Sequence, residues 1–166
     1  EKMLYDNSLF ITALIETFQI TGHQEFSDYA NDVLHYIDQD MTSEEGAFFS
    51  AEDADSEGVE GKFYVWSKEE VESILGRQTS SIVIPFFNIT KEGNFEHKNI
   101  LNQTRTYQEL AKELGLTEDT VIAELSSARE KLLQERSKRI RPLLDDKVLT
   151  SWNGLMISAM AKTGRV

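Results

Sequence analysis

Two segments of the chain are apolar on almost every side of a helix, and this feature constrains the fold more than any other. Residues 6–20 place Phe10, Leu14 and Phe18 at helical spacing. Further apolar side chains widen this surface to well over half of the circumference: Leu9, Ile11, Ala13 and Ile15. Residues 151–162 repeat the pattern with Trp152, Leu155, Met156, Ile157, Ala159 and Met160. Helices of this kind are buried between neighbours, so the sequence predicts packed layers of helices.

A second helix, predicted over residues 25–41, has one apolar side and one polar, solvent-exposed side. Its apolar stripe consists of Phe26, Ala30, Val33, Leu34 and Ile37. Asp28, Asp32 and His35 lie on the opposite side. A buried helix followed by a one-sided helix, across a short turn with Gly22, indicates an antiparallel hairpin with an inner and an outer member.

Capping residues and glycines mark three further helices. The predicted starts are Ser67 with Glu70, Thr106 with Glu109, and Thr117, and the first two helices end near Gly76 and at Gly115. The third helix carries an apolar face of Val121, Leu125, Ala128 and Leu132. Residues 79–101 fit either helix or strand, and Pro85 argues against a long uninterrupted helix there.

The stretch AEDADSEGVEG at residues 51–61 opens like a calcium-binding loop of the EF-hand type. Its ligand positions and its glycine are Asp53, Asp55, Glu57 and Gly58. The twelfth residue of such a loop would be Tyr64, which cannot supply the closing bidentate carboxylate. The flanking runs GAFFSA and GKFYVW instead predict the strands of a β-hairpin. We therefore expect no tight calcium binding and no metal site, and the stretch is either an acidic surface turn or a set of carboxylates beside an active site.

Charge and composition oppose several classes of partner. The net charge of −12 opposes binding to nucleic acid or to an anionic membrane, and no apolar run approaches membrane-spanning length. One basic cluster, RSKRIR at residues 136–141, is most simply the positively charged end of a helix. The absence of cysteine excludes disulfides and thiol chemistry and leaves the compartment open. A cytoplasmic location without a cofactor is the expectation.

The two ends of the sequence suggest a piece of a longer protein. The chain begins with EKMLYDNSLF, without a targeting segment, and stops directly after the last apolar helix. An incomplete set of buried helices leaves an apolar flank uncovered, and such a flank usually recruits a partner. We expect this fragment to self-associate, with exchange of helices between chains as one route.

Hairpin topology brings several polar segments to one end of the helices. In a ring of helical hairpins, each outer helix ends on the side where the next inner helix begins. The shared face therefore receives YDN, the acidic turn and RPLLDDKVLTSWNG. Helix N-termini on that face offer backbone N–H groups to a polar ligand. The acidic turn is thus predicted to form part of the rim of a site.

Four motifs resemble one known family: EKMLYDN, SAEDADSEGVEGKFYVW, GNFEHKNIL and RSKRIRPLLDDKVLTSWNGLMISA. In this order they resemble the spermatogenesis-associated proteins and their bacterial relatives. The resemblance implies a thioredoxin-like domain followed by a six-hairpin, glycosidase-like (α/α)6 toroid, which is similar to N-acylglucosamine 2-epimerases. Residues 1–166 would form the early part of that toroid, mainly α with an inserted β-hairpin. The thioredoxin-like domain and the later hairpins would lie outside this chain.

The resemblance and the topology together predict a carbohydrate site at the N-termini of the inner helices, although fold alone does not fix function. A glycosidase needs one protonated and one ionised carboxyl group. The catalytic candidates are Asp53, Asp55, Asp145 and Asp146. The candidates for substrate binding are Tyr5, Asp6, Asn7, Trp66, Arg141, Lys147, Trp152 and Asn153.

Structural roles compete for the same residues. Asp6 would serve equally well as a helix N-cap, and both tryptophans as core residues. The adjacent carboxyl groups of Asp145 and Asp146 would pair with a nearby Arg139, Arg141 or Lys147. Coupling between the two carboxyl groups would instead raise one pKa, which suits a general acid.

Two other functions stay open. Related epimerases use histidines as acid and base, and this chain offers only His23, His35 and His97, of which His97 is the best placed. In the non-enzymatic alternative, the toroid is a binding or scaffold module that serves the thioredoxin-like domain. A pure scaffold has no need to gather Asp, Arg, Lys, Trp and Asn on one face, so a carbohydrate site is favoured.

Overall fold

A computed structural model describes all 166 residues and shows a mainly α-helical protein. The six helices are α1 (Leu4–Thr21), α2 (Gln24–Asp40), α3 (Lys68–Phe86), α4 (Tyr107–Leu114), α5 (Glu118–Arg136) and α6 (Thr150–Thr163). The strands are β1 (Lys2–Met3), β2 (Ala51–Glu52), β3 (Asp55–Ser56), β4 (Val59–Glu60) and β5 (Leu144–Asp145). None of the helices combines the length and the apolar character that a membrane crossing requires.

The chain divides into two compact units. The split unit consists of Glu1–Ser56 and Pro142–Val166, and the inserted unit consists of Glu57–Arg141. The split unit contains α1, α2 and α6, whereas the inserted unit contains α3, α4 and α5. Each unit has its own hydrophobic core.

Helices α1 and α2 form the predicted hairpin of the split unit. Gly22 ends α1 with φ 70°, a left-handed conformation that favours glycine, and its N–H donates to the carbonyl oxygen of Phe18 at 2.7 Å. The two helices pack against each other and against α6. Their shared core includes Leu4, Ile11, Leu14, Ile15, Ala30, Ile37, Met156 and Ala159.

Helix α6 lies beside α1 and runs parallel to it. Near the start of both helices, the ring centres of Tyr5 and Trp152 are 4.9 Å apart. Near the end of both helices, Nζ of Lys162 lies 2.7 Å from Oε1 of Glu16. Contacts that join start to start and end to end require the two helices to point in the same direction.

Neither α1 nor α6 is covered on every side, which differs from the burial expected of such apolar helices. Leu9 and Phe10 are each 54% exposed and Ile20 is 85% exposed on α1, and Leu155 and Ile157 are 40% and 59% exposed on α6. The reason is that α1 and α6 cover only one side of each other. Each of the two helices therefore has an exposed apolar flank.

A three-stranded antiparallel sheet, in the order β1–β2–β5, fixes the end of the split unit where α1 and α6 begin. The register pairs Lys2 with Glu52, Met3 with Ala51, Ala51 with Asp145, and Glu52 with Leu144. Because β1 leads directly into α1 and β5 shortly precedes α6, the sheet brings the acidic segment to the N-termini of both helices.

The helix boundaries predicted for the inserted unit are confirmed. Capping boxes form at Ser67 with Glu70 and at Thr106 with Glu109, and the Thr117 side chain accepts from the backbone N–H of Thr120. Gly115 ends α4 in the left-handed region. Gly76 breaks α3 with φ 73° and ψ 169°, and the helix then resumes to Phe86 with Pro85 in its last turn. The ambiguous segment that follows residue 79 is thus helical at first and irregular later.

The predicted β-hairpin of GAFFSA and GKFYVW does not form, because Ala51 pairs with β1 and β5 instead and GKFYVW contains no strand. Of GAFFSA only Ala51 lies in a strand, and GKFYVW forms turns, with the N–H of Tyr64 donating to the carbonyl oxygen of Gly61 at 2.8 Å. GKFYVW is rich in aromatic and β-branched residues, as strands are, but Phe63 and Trp66, three residues apart, are both buried in the inserted unit. Glu57 and Gly58 have φ 54° and 74°, which is typical of a tight I′ turn.

Candidate functional site

The two acidic loops of the split unit lie side by side, although they are far apart in the chain. Strand β2 pairs with β5 so that Ala51 faces Asp145. One step further, the N–H of Asp53 donates to the carbonyl oxygen of Leu143 at 2.8 Å. Asp55 follows in β3 with its side chain exposed. The structure thus brings the backbone around Asp53 next to the segment that carries Asp145.

Asp145 forms a close ion pair with Lys147. Nζ of Lys147 lies 2.8 Å from Oδ2 of Asp145, and the N–H of Lys147 donates to Oδ1 at 3.3 Å. The hydrogen bond from the Lys147 side chain lowers the pKa of Asp145, and the same contact raises the pKa of Lys147. The direction for Asp145 is opposite to that of a general acid, so Asp145 is suited to act as an ionised base, nucleophile or charge stabiliser. Asp146, the next residue, is exposed.

The first turn of α1 supplies the segment Tyr5, Asp6 and Asn7. Met3 is the N-cap residue and provides no side-chain cap, so the interpretation of Asp6 as the N-cap is wrong. The helix begins earlier than predicted because β1 leads directly into it. Asp6 instead lies exposed in the first turn, where the helix dipole favours a carboxylate. Asn7 Nδ2 donates to the carbonyl oxygen of Met3 at 2.8 Å.

Tyr5 and Trp152 form an aromatic pair at the starts of α1 and α6. Their rings meet edge to face with an interplanar angle of 62°, and both side chains are half-buried. The side-chain amide of Asn153, next to Trp152, forms hydrogen bonds within the fold through both its oxygen and its nitrogen. Its side chain accepts from the N–H of Phe48 and donates to the carbonyl oxygen of Phe48, both at 2.9 Å, and also donates to the carbonyl oxygen of Leu149. Asn153 thereby acts as an anchor for the segment before β2.

Trp66 and Arg141 belong to the inserted unit and have contacts there. Trp66 is buried, and the guanidinium of Arg139 lies 3.9 Å from the centre of its ring. Arg141 lies over the ring of Phe63 at 5.5 Å. Arg139 also pairs with Glu70 at 3.2 Å, so the cluster RSKRIR, which begins as predicted at the end of α5, holds aromatic and acidic side chains of its own unit.

None of the three histidines belongs to the segments that carry Asp53, Asp55, Asp145 and Asp146. His23 precedes α2 and stacks with Phe26, with 6.3 Å between the ring centres, and His35 is exposed on α2. His97 belongs to the inserted unit and sits exposed in a tight turn with φ 62°. Neither histidine of the split unit lies in the acidic loops.

No group of three or more His, Cys, Asp or Glu side chains is arranged to hold a metal ion. Asp53 Oδ1 instead accepts from the backbone N–H groups of Ala54 and Asp55, at 2.7 and 3.4 Å. Glu57 pairs with Lys62 at 2.7 Å. Weak calcium binding stays a prediction, which calcium titration checks against the roughly 10⁻⁵ M limit of calcium sensors.

Glu52 is a buried carboxylate that the sequence did not single out. It is 3% exposed, and the O–H of Tyr36 donates to its Oε2 at 3.2 Å. Nζ of Lys2, which faces Glu52 across the sheet, lies 4.3 Å from the centre of the Tyr36 ring. Both residues of β2 are buried, so strand alternation would not have identified Glu52, and no local signal identifies Tyr36 as its partner.

The chain is similar in sequence to a segment of several longer proteins. It is 34% identical to spermatogenesis-associated protein 20 of Homo sapiens over 100% of this chain and 24% of that protein. The corresponding protein of Rattus norvegicus is 32% identical over the same shares. An uncharacterized protein of Caenorhabditis elegans is 30% identical over 98% of this chain and 26% of that protein.

No family model matches the sequence. The chain spans about a quarter of the length of the curated relatives that it matches, 24% in the human protein. Because the match extends over the full chain, it includes both acidic loops and the helices beside them. The chain is therefore homologous, over its full length, to one segment of spermatogenesis-associated protein 20.

Proposed function

We propose that the split unit is the early part of a six-hairpin, glycosidase-like (α/α)6 toroid and that it binds a carbohydrate where the acidic loops meet. The arrangement of its helices supports the toroid. Two apolar helices, α1 and α6, lie parallel and adjacent, and the one-sided helix α2 packs against α1. Successive inner helices of a ring of hairpins have this relationship, with the outer helix returning between them.

The pairing of β2 with β5 is the observation that carries the proposed site. It joins the segment of Asp53 and Asp55 to the segment of Asp145 and Asp146. Both segments lie at the N-termini of α1 and α6, where backbone N–H groups and the Tyr5–Trp152 pair are also found. Carboxylates, an aromatic surface and helix N-termini are the groups that recognise and process a sugar.

Glycoside hydrolysis is the reaction that these groups suit best. Asp145, which Lys147 keeps ionised, would act as base, nucleophile or stabiliser of positive charge on the sugar ring. Asp53, Asp55 or Asp146 would supply the second carboxyl group. Asp6 lies at the rim and would contact sugar hydroxyl groups. Epimerisation has less support, because no histidine of the split unit lies in these loops.

A binding or scaffold module that serves a thioredoxin-like domain is the second candidate. The exposed apolar flanks at Phe10 and Ile157 favour it, because contiguous apolar surface commonly marks a docking site. This candidate requires no sugar binding and no turnover.

Titration calorimetry with a panel of neutral mono- and oligosaccharides tests the carbohydrate site. We expect saturable binding by the wild-type protein and its loss in Asp146→Asn, with unchanged helix content by circular dichroism. Asp32→Asn, which neutralises an exposed aspartate on α2, is the matched control and should bind like the wild type. Unfolding of Asp146→Asn would assign that residue a structural role. Absence of binding to every sugar would reject the carbohydrate function and leave the scaffold.

A further inference from the structure

We propose that Asn153–Gly154, near the start of α6, is a deamidation site that the folded chain protects. Reaction there turns a transient opening at the start of α6 into a permanent loss of the Asn153 anchor. The reaction consumes water and releases ammonia, and it requires no ligand. The proposal therefore does not depend on the carbohydrate site.

The glycine that follows Asn153 makes its side-chain amide reactive. The chain contains seven asparagines, and only Asn153 is followed by glycine. A side chain on the following residue shields the backbone nitrogen that attacks the asparagine amide, and glycine has no side chain. The unrestricted backbone of glycine also lets an opened chain bring the two groups together. Asn153 is therefore the asparagine that converts fastest once its surroundings are open.

The reaction is a ring closure followed by hydrolysis. A base removes the proton from the backbone nitrogen of Gly154, and this nitrogen attacks Cγ of Asn153. The new C–N bond closes a five-membered succinimide, the Cγ–Nδ2 bond breaks, and Nδ2 takes up a proton and leaves as ammonia. Water then opens the ring at one of its two carbonyl carbons, which leaves either an aspartate or an isoaspartate. The net change is hydrolysis of the side-chain amide, without oxidation or reduction.

Hydrogen bonds fix the reacting groups in the folded chain. Oδ1 of Asn153 accepts from the N–H of Phe48 at 2.9 Å, and Nδ2 donates to the carbonyl oxygens of Phe48 and Leu149 at 2.9 and 3.1 Å. Gly154 is the fifth residue of α6, so helical geometry directs its N–H to the carbonyl oxygen of Thr150. Ring closure requires these bonds to break. The reaction thus proceeds only from molecules in which the start of α6 is open.

The products cannot rebuild the contacts of Asn153. An aspartate at this position keeps an acceptor for the N–H of Phe48, but a carboxylate oxygen replaces the amide nitrogen that donates to two carbonyl oxygens. An isoaspartate also routes the main chain through the side chain and lengthens it by one carbon, which interrupts the helix. Either product therefore releases the segment before β2 from the start of α6.

Packing within the chain does not require a glycine at position 154. Gly154 is exposed, and an added Cβ would meet no atom within 4 Å. Gly154→Ala therefore fits the structure, favours the helix and shields the backbone nitrogen. In denaturant the helix is absent, so the effect of Gly154→Ala there reports on the chemistry alone.

Peptide mass spectrometry after incubation at mildly alkaline pH measures the conversion of each asparagine in the full chain. In guanidinium chloride, Asn153 should convert roughly tenfold faster or more than Asn88, which precedes Ile89, and Gly154→Ala should remove this difference. In buffer, the folded wild type should convert Asn153 roughly a hundredfold more slowly than in denaturant, because only the open fraction reacts. Equal rates at Asn153 and Asn88 in denaturant would overturn the proposal. Equal rates at Asn153 with and without denaturant would also overturn it.

Trp152→Ala tests the opening of α6 separately, because it removes the contact with Tyr5. This variant should convert Asn153 at the wild-type rate in denaturant and roughly tenfold faster than the wild type in buffer. If the variant does not fold, graded guanidinium chloride replaces it, and wild-type conversion should rise with the unfolded fraction. The deamidated chain, separated by its added negative charge, should have a lower Tm than the unreacted chain. Conversion that does not follow opening, or an unchanged Tm, would overturn the proposal.

Discussion

The ring of Tyr5 meets the ring of Trp152 edge to face at 4.9 Å, and this contact joins the first helix of the chain to the last. The ion pair between Glu16 and Lys162 repeats the connection at the other end of the same helices. Two helices from opposite ends of the sequence are thereby held parallel. Because the β2–β5 pairing lies at the aromatic end, the Tyr5–Trp152 contact also fixes the helix starts beside the acidic loops.

Replacing Trp152 should show how much the Tyr5–Trp152 contact contributes to the free energy of unfolding. Trp152→Ala removes a half-buried ring together with its contact to Tyr5. We expect a loss of about 2–4 kcal/mol in the free energy of unfolding. Trp152→Phe keeps an aromatic edge against Tyr5 and should cost about 1 kcal/mol. Urea denaturation followed by circular dichroism gives both values. Equal losses in the two variants would show that the aromatic contact contributes little.

The Asp145–Lys147 pair should make stability depend on pH at both extremes. The folded-state pKa of Asp145 is lowered, so its contribution is present above the unfolded pKa, about 3.9, and is lost as pH falls through the folded value. The pKa of Lys147 is raised, so its contribution is present below about pH 10.4 and is lost as pH rises through the folded value.

Comparison of Tm with Asp145→Asn measures this dependence, because the substitution removes both contributions. We expect the difference in Tm between wild type and Asp145→Asn to be constant from about pH 5 to 9 and to shrink in strong acid and strong base. A difference that is the same at every pH would show that the ion pair does not contribute.

Asn153 should be more important for the fold than for ligand binding. Asn153→Ala leaves the N–H and the carbonyl oxygen of Phe48 without their side-chain partner, and we expect a loss of about 2–3 kcal/mol. Asn153→Asp keeps an acceptor for the N–H but places a carboxylate against the carbonyl oxygen. We therefore expect Asn153→Asp to be as destabilised as Asn153→Ala at neutral pH and partly rescued in acid. Thermal unfolding at two pH values checks this, and a stable Asn153→Ala variant would contradict the anchor role.

Local chemistry explains which parts of the fold could be predicted. Gly22 and Gly115 end helices in the left-handed region, and capping boxes start them, because these contacts lie within four residues. The prediction of a strand at GKFYVW was wrong because its aromatic and β-branched composition is typical of strands, whereas Arg139, far along the chain, donates to its carbonyl oxygens in a turn.

In the candidate site, too, contacts between neighbouring residues could be predicted from the sequence, and contacts between distant residues could not. The sequence placed the two acidic loops on one face, but the register of Ala51 with Asp145 depends on side-chain packing that no local pattern encodes. The ion pair between Asp145 and Lys147 was among the predicted alternatives, since the residues are neighbours. The buried contact between Glu52 and Tyr36 was not predicted, because it joins a strand to a helix in three dimensions only.

Arg139 offers the last test, because its guanidinium serves several partners of the inserted unit at once. It donates to the carbonyl oxygens of Phe63 and Val65 at 2.9 and 2.8 Å, pairs with Glu70, and lies against Trp66. Lysine keeps the charge but lacks the planar fork that reaches these groups together. We expect Arg139→Lys to lower the free energy of unfolding by roughly 1.5–3 kcal/mol, the range of a hydrogen bond to a charged group.

Fluorescence of Trp66 can assign this loss to the inserted unit. In a Trp152→Phe background, Trp66 is the only tryptophan, and its emission reports on the unit that contains Arg139. Arg139→Lys should shift the Trp66 unfolding midpoint to lower urea, whereas Arg77→Lys, at an exposed residue of α3, should leave it unchanged within the small range of a surface substitution. If Arg139→Lys left the Trp66 midpoint at the wild-type value, the guanidinium would not be what holds the aromatic segment in place.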